Sequence, residues 1–73
     1  MTFDRIEQNP QIMHGKPVIK GTRIPVSLIL NLLAHGQTIE QAIDNYPQLT
    51  QEDIFAAIEY ASKITNFEEK IIV

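Results

Sequence analysis

The side chain best equipped for chemistry in this sequence is Arg23, which stands between Thr22 and Ile24 just after Lys20-Gly21. A guanidinium is a planar fork of donors that fits a carboxylate or a phosphate. Two uses are open to it. It can pair with a helix carboxylate, within the domain or across a dimer, or it can contact a phosphate or a carboxylate on a partner. Lys16 and Lys20 lie close by in sequence. With Arg23 they form a basic arm suited to DNA phosphates. His14 either caps its turn by hydrogen bonding or takes up a metal or phosphate, and the turn role is favoured. His35 falls at the end of an expected helix, where a partly positive imidazole suits the negative end of the helix dipole. The run His14-Gly15-Lys16-Pro17 only superficially resembles a phosphate loop. It lacks the first glycine and the Ser or Thr after the lysine, and a proline follows instead. There is no nucleophile elbow and no His-Glu-x-x-His pattern. The expectation is a non-enzymatic chain with no catalytic residue, resident metal or cofactor.

These residues must be held by short elements. Val18-Ile19 and Thr22-Arg23-Ile24 are rich in β-branched residues, and Lys20-Gly21 between them reads as a hairpin turn needing positive φ at the glycine. A further short strand is expected around Ile6. Helix one is expected from Pro25 or Val26 to Ala34 or His35, with Val26, Ile29, Leu30 and Leu33 on one face and Leu28 and Leu32 on another. An apolar surface that wide is buried on several sides. Gly36 caps it. Helix two follows from Ile39 to Tyr46 behind a Thr38/Gln41 capping box, and Pro47 stops it. Helix three runs from Gln51 to about Ile64, with Thr50 as N-cap and Ile54, Ala57, Ile58 and Ala61 as core stripe. Its outer face carries Gln51, Glu52, Phe55, Glu59, Ser62 and Lys63. The fold class is therefore mainly α: a short N-terminal β-hairpin plus a three-helix bundle, homeodomain-like or winged-helix-like, of the helix-turn-helix kind. It forms one domain over 1–73, with the arm at about 5–25, the bundle at about 26–65 and a tail at 66–73.

A chain of 73 residues makes a marginal core. There is no cysteine to staple it. A partner or a second copy is the remaining support, and a homodimer through Leu28 or Leu32 is expected. Charge divides along the chain. Residues 1–25 set Arg5, Lys16, Lys20 and Arg23 against Asp4 and Glu7. Residues 26–73 set Lys63 and Lys70 against Glu40, Asp44, Glu52, Asp53, Glu59, Glu68 and Glu69. An acidic helix three is a poor reader of DNA, so the arm must make any phosphate contact. The acidic residues Glu52, Asp53, Glu59, Glu68 and Glu69 are instead suited to a basic groove. Phe67, Ile71, Ile72 and Val73 make the tail apolar enough to anchor a partner. No stretch suffices for a membrane span and no signal pattern opens the chain. The expected location is the cytoplasm.

Two runs give a resemblance. Pro10-Gln11-Ile12, then Gly15-Lys16-Pro17-Val18-Ile19-Lys20-Gly21-Thr22-Arg23-Ile24-Pro25-Val26, resembles the signature of the family catalogued as domain of unknown function 433. The likeness continues through Leu33-Ala34-His35-Gly36, Tyr46-Pro47-Gln48-Leu49-Thr50, Glu52-Asp53-Ile54 and Ala57-Ile58-Glu59-Tyr60-Ala61, so it spans about residues 5–63. It implies a homeodomain-like helical fold of bacteria and archaea, often encoded beside a small PIN-like ribonuclease. The role it implies is a type II antitoxin that neutralises that toxin, with its operator DNA as a further partner. A stand-alone helix-turn-helix transcriptional regulator is the alternative. The family brings no established catalytic residue. Partner contacts are expected at Arg23, Leu28, Leu32, Phe67, Ile71 and Ile72, and DNA contacts at Lys16, Lys20 and Arg23.

Overall fold

The structure, a computed structural model, describes the backbone of residues 4–72 and the side chains of residues 4–65. Two short strands, β1 (Ile6–Glu7) and β2 (Val18–Ile19), precede three helices: α1 (Val26–Ala34), α2 (Ile39–Asn45) and α3 (Gln51–Ile72). β1 and β2 pair antiparallel, with Ile6 opposite Ile19 and Glu7 opposite Val18. The strand around Ile6 is thus the main partner of β2, where the sequence suggested Thr22–Ile24. That segment nevertheless returns along the other side of β2. The Ile19 amide donates to the Ile24 carbonyl at 3.0 Å, the Val26 amide donates to the Pro17 carbonyl at 2.9 Å, and Val18 bridges to Pro25. Two prolines, at 17 and 25, remove donors from this second pairing, which explains why it stays fragmentary.

The arm is part of the core. Ile6, Ile19 and Ile24 from the arm cluster with Val26 and Ile29 of α1, Ala42 of α2, Leu49 of the α2–α3 link, and Ile54 and Ala57 of α3. Ile19, Ile29 and Ile54 are fully buried. α1 is apolar on most sides, as its sequence predicts. Val26 and Ile29 are buried, while Leu28, Leu30, Leu32 and Leu33 lie half-buried against the core. The α1 terminus is a Schellman cap: Gln37 donates to the Leu32 carbonyl at 3.1 Å, Gly36 donates to Leu33 at 3.0 Å, and Gly36 has φ +93°. The Thr38/Gln41 capping box opens α2 as expected.

α3 departs from expectation in three ways. It continues to Ile72, because nothing between Thr65 and Ile72 is a glycine or proline able to stop it. The separate tail expected at 66–73 is, as far as Ile72, a continuation of this helix. Ile58 is exposed, since the core-facing side of α3 runs through Ile54 and Ala57, with Ala56 and Tyr60 partly buried at its margins. Asp53, expected on the acidic surface, is buried. Its Oδ2 accepts from the Thr50 amide at 3.0 Å, and its own amide donates to Thr50 Oγ1 at 3.2 Å. Its Oδ1 accepts from Arg5 Nη1 at 3.0 Å. One carboxylate thus closes the capping box of α3 and ties down the arm. Among the described residues no helix is long and apolar enough to cross a membrane.

Candidate partner groove and basic arm

Arg23 is aimed by a tight turn. The Thr22 amide donates to the Ile19 carbonyl at 3.0 Å, and Gly21 has φ +81°, the conformation a type II turn requires at its third residue. The Thr22 hydroxyl donates to the same Ile19 carbonyl at 2.7 Å and accepts from the Ile24 amide at 3.0 Å. Thr22 and the buried Ile24 fix the backbone on both sides of Arg23. Its side chain faces an open groove between this segment and the α2–α3 link, walled by Ile12, Glu7, Tyr46, Pro47 and Gln48. Among the described residues Arg23 has no hydrogen-bond or ion-pair partner. Among the described residues the helix carboxylate that does pair with an arginine is Asp53, and its partner is Arg5. The spacing that could have flagged Arg5 is long-range, 48 residues to Asp53, and no local pattern encodes it.

Lys16 and Lys20 are exposed, as a phosphate-contacting arm requires, but neither lines the groove with Arg23. The three basic residues therefore divide into an arm pair and a groove residue. Lys20 leads the Gly21 turn and its amide donates to the Arg5 carbonyl at 2.8 Å. Lys16 follows an unusual turn in which Met13, His14 and Gly15 all have positive φ, at +52°, +57° and +84°. Left-handed backbone costs non-glycine residues about 1–2 kcal/mol each. The turn is held by Gly15 donating to the Ile12 carbonyl at 3.1 Å, Lys16 donating to Met13 at 3.1 Å, and Gln8 Nε2 donating to Gly15 at 3.3 Å. The exposed His14 imidazole makes none of these bonds, so the turn-capping role expected for it is not what holds the turn. His35 sits at the end of α1, as the sequence placed it, and its Nδ1 lies 2.7 Å from the Asn31 carbonyl, a contact the sequence did not specify.

A second surface lies on α3. Glu52, Phe55 and Glu59 recur at helical spacing on its outer side, with Ile58 beside them. Phe55 is 50% exposed and Ile58 41%. Phe55 and Ile58 thus give this side of α3 an exposed apolar pair flanked by the carboxylates of Glu52 and Glu59. The sequence placed Phe55 there but put Ile58 in the core. The side chains of Phe67, Ile71 and Ile72, together with Glu68 and Glu69, lie outside the described residues.

A family model described as "Protein of unknown function (DUF433)" matches residues 6–61. A crystal structure of a DUF433 member protein from Anabaena variabilis superimposes with a TM-score of 0.81 at 30% identity, over 94% of this chain and 68% of that one. The uncharacterized protein y4eO of Sinorhizobium fredii is 36% identical over 56 residues. The match takes in 77% of this chain and a quarter of the length of y4eO.

Proposed function

This chain belongs to the DUF433 family, and on that footing we propose that it is a non-enzymatic type II antitoxin of the cytoplasm. It neutralises a PIN-like ribonuclease encoded beside it and binds its operator DNA. The observation that carries the reading is the presence of two chemically opposite faces on one small domain. Exposed Lys16 and Lys20 on the arm suit a phosphate backbone. The Glu52–Phe55–Ile58–Glu59 face of α3 suits a basic, partly apolar protein groove. A single acidic helix serving as a recognition helix would repel DNA, so a regulator that reads DNA through α3 fits less well.

Acidic residues on the toxin-facing side occupy an RNA groove without being cleavable, which is the simplest way to silence a nuclease. A homodimer would double both faces and add the core area that a chain this small lacks. The test is co-expression with the product of the adjacent gene. The two proteins should co-purify, and one equivalent of this chain should suppress RNA cleavage. Phe55→Ser combined with Ile58→Ser should release the nuclease while leaving the helical circular dichroism unchanged. A neighbour that neither co-purifies nor changes activity would overturn the reading.

A further inference from the structure

We propose that α3 beyond Ala61 is a dimerisation helix, which pairs in parallel with the same stretch of a second copy as a short two-stranded coiled coil. The proposal goes beyond the antitoxin reading by giving a homodimer its surface and orientation, and it stands apart from any nuclease partner. Three observations carry it. The first is where the bundle ends. Ile54, Ala57, Ala61 and Ile64 recur at helical spacing on the core-facing side of α3. Ile54 and Ala57 are buried, yet Ile64 is 56% exposed. Ser62, Lys63, Ile64 and Thr65 are all exposed, which is a full helical turn open on every side. The backbone nevertheless stays helical to Ile72. Over residues 62–65 α3 therefore stands free of its own bundle while still carrying the apolar stripe in Ile64. Helices in proteins draw most of their stability from packing such a stripe against something.

The second observation is the repeat. From Ile64 onwards the sequence of α3 sets Phe67 three positions on and Ile71 four further, the alternating spacing of a coiled-coil seam. β-Branched isoleucine at the first seam position suits two parallel strands. The third observation is charge, and it identifies the occupant. Lys63 directly precedes the seam position at Ile64, and Glu68 directly follows the one at Phe67. In a parallel pair, position 63 of each helix lies beside position 68 of the other, so lysine is set against glutamate twice. In an antiparallel pair, position 63 lies beside position 70 instead, which sets lysine against lysine. Lys63 makes no ion pair within the chain among the described residues. The charges thus match this end of α3 to a second, parallel copy of itself and count against the reverse orientation.

The experiment uses the full chain. Sedimentation equilibrium at ~100 μM should show a dimer, and Ile64→Ser should weaken dimerisation by at least ~10-fold. Urea denaturation of Ile64→Ser at ~1 μM, where the monomer prevails, should match the wild type, because the position is outside the core. Lys63→Glu should also weaken the dimer, and adding Glu68→Lys should restore it. The chain has no cysteine, so Ile64→Cys introduces a single thiol. In a parallel pair that thiol meets its own copy and should give a disulfide-linked dimer on mild oxidation, whereas Phe55→Cys on the outer side of α3 should not. A monomer at ~100 μM, a dimer indifferent to Ile64→Ser, equal cross-linking of the two thiols, or tighter association of Lys63→Glu, the sign of an antiparallel pair, would each overturn the proposal. A neighbouring nuclease that fails to co-purify leaves this result standing, and a monomeric chain that still silences the nuclease leaves the antitoxin reading standing.

Discussion

Asp53 joins the arm to the start of the longest helix, and Asp53→Asn isolates what that junction contributes. The wild-type carboxylate offers one oxygen to the Thr50 amide and the other to Arg5 Nη1, each at 3.0 Å. An amide of the same shape keeps one oxygen and replaces the other with a donor. Whichever way it turns, an N–H group faces either the Thr50 N–H or the Arg5 guanidinium. The cost is therefore one carboxylate hydrogen bond lost plus a buried N–H left facing another donor, on the order of 1.5–3 kcal/mol, for a residue that is 7% exposed. In a domain of this size, ~2 kcal/mol lowers the melting temperature by about 8–16 °C.

Two companions make the reasoning refutable. Thr50→Ala removes the hydroxyl side of the capping box and should cost ~1 kcal/mol. Arg5→Ala should cost under ~1 kcal/mol, because the arginine side chain is 49% exposed and its half of the pair is screened by water. Urea titration of the three variants, followed by circular dichroism, gives the order directly. The order Asp53→Asn, then Thr50→Ala, then Arg5→Ala is expected. If Arg5→Ala is as damaging as Asp53→Asn, the ion pair and not the cap dominates, and the argument from burial fails.

Gly21→Val should destabilise by more than ~1 kcal/mol through backbone strain alone, since a Cβ at Gly21 meets no atom within 4 Å, and Gly21→Asn should be much milder in the same urea titration. His14→Gly should raise the thermal midpoint by a few degrees, relieving up to ~1 kcal/mol of left-handed strain; a lowered midpoint would mean that the imidazole supports the turn after all. Ile54→Ala should cost about 2–5 kcal/mol, against under ~0.5 kcal/mol for Ile64→Ala, because the first is fully buried and the second 56% exposed. Where operator DNA is bound, Lys16→Ala with Lys20→Ala should reduce the slope of log affinity against log salt by about two, measured by fluorescence anisotropy.

The parts of the fold that a local pattern specifies were legible. Thr38 with Gln41, Gly36 after α1, Pro47 after α2 and Gly21 in its turn each act within five residues, and each appears where its chemistry demands. What escaped depends on distance along the chain. The pairing of Ile6 with Ile19 across 13 residues is written in neither short strand, because two-residue strands carry no periodicity. Ile58 follows the apolar rhythm of α3 but lies outside its core-facing side, which runs through Ile54 and Ala57. In the candidate site, Arg23 was singled out by residue type alone, whereas its opposite wall, Tyr46 to Gln48, comes from a segment more than twenty residues away.

The same long-range contacts explain why Arg23 can be a recognition residue at all. An arginine on a two- or three-residue strand in a free arm would sample many directions and lose much entropy on binding. Here the flanking Ile24 is buried in the bundle core, Ile19 behind it is fully buried, and Arg5 at the start of the arm is tied to α3 through Asp53. The backbone that carries Arg23 is therefore held from both sides, by the Thr22 turn and by buried Ile24. This links stability to recognition in a measurable way. Arg5→Ala touches neither the groove wall nor Arg23, and Ile19, Ile24 and the β1–β2 pairing continue to hold the arm without it. Hydrogen exchange of the Thr22 amide, bonded to Ile19, should consequently quicken by less than ~3-fold in Arg5→Ala but by at least ~10-fold in Ile24→Ala. A quickening in Arg5→Ala as large as that in Ile24→Ala would show that the tether, and not the isoleucine core, positions the turn that carries Arg23.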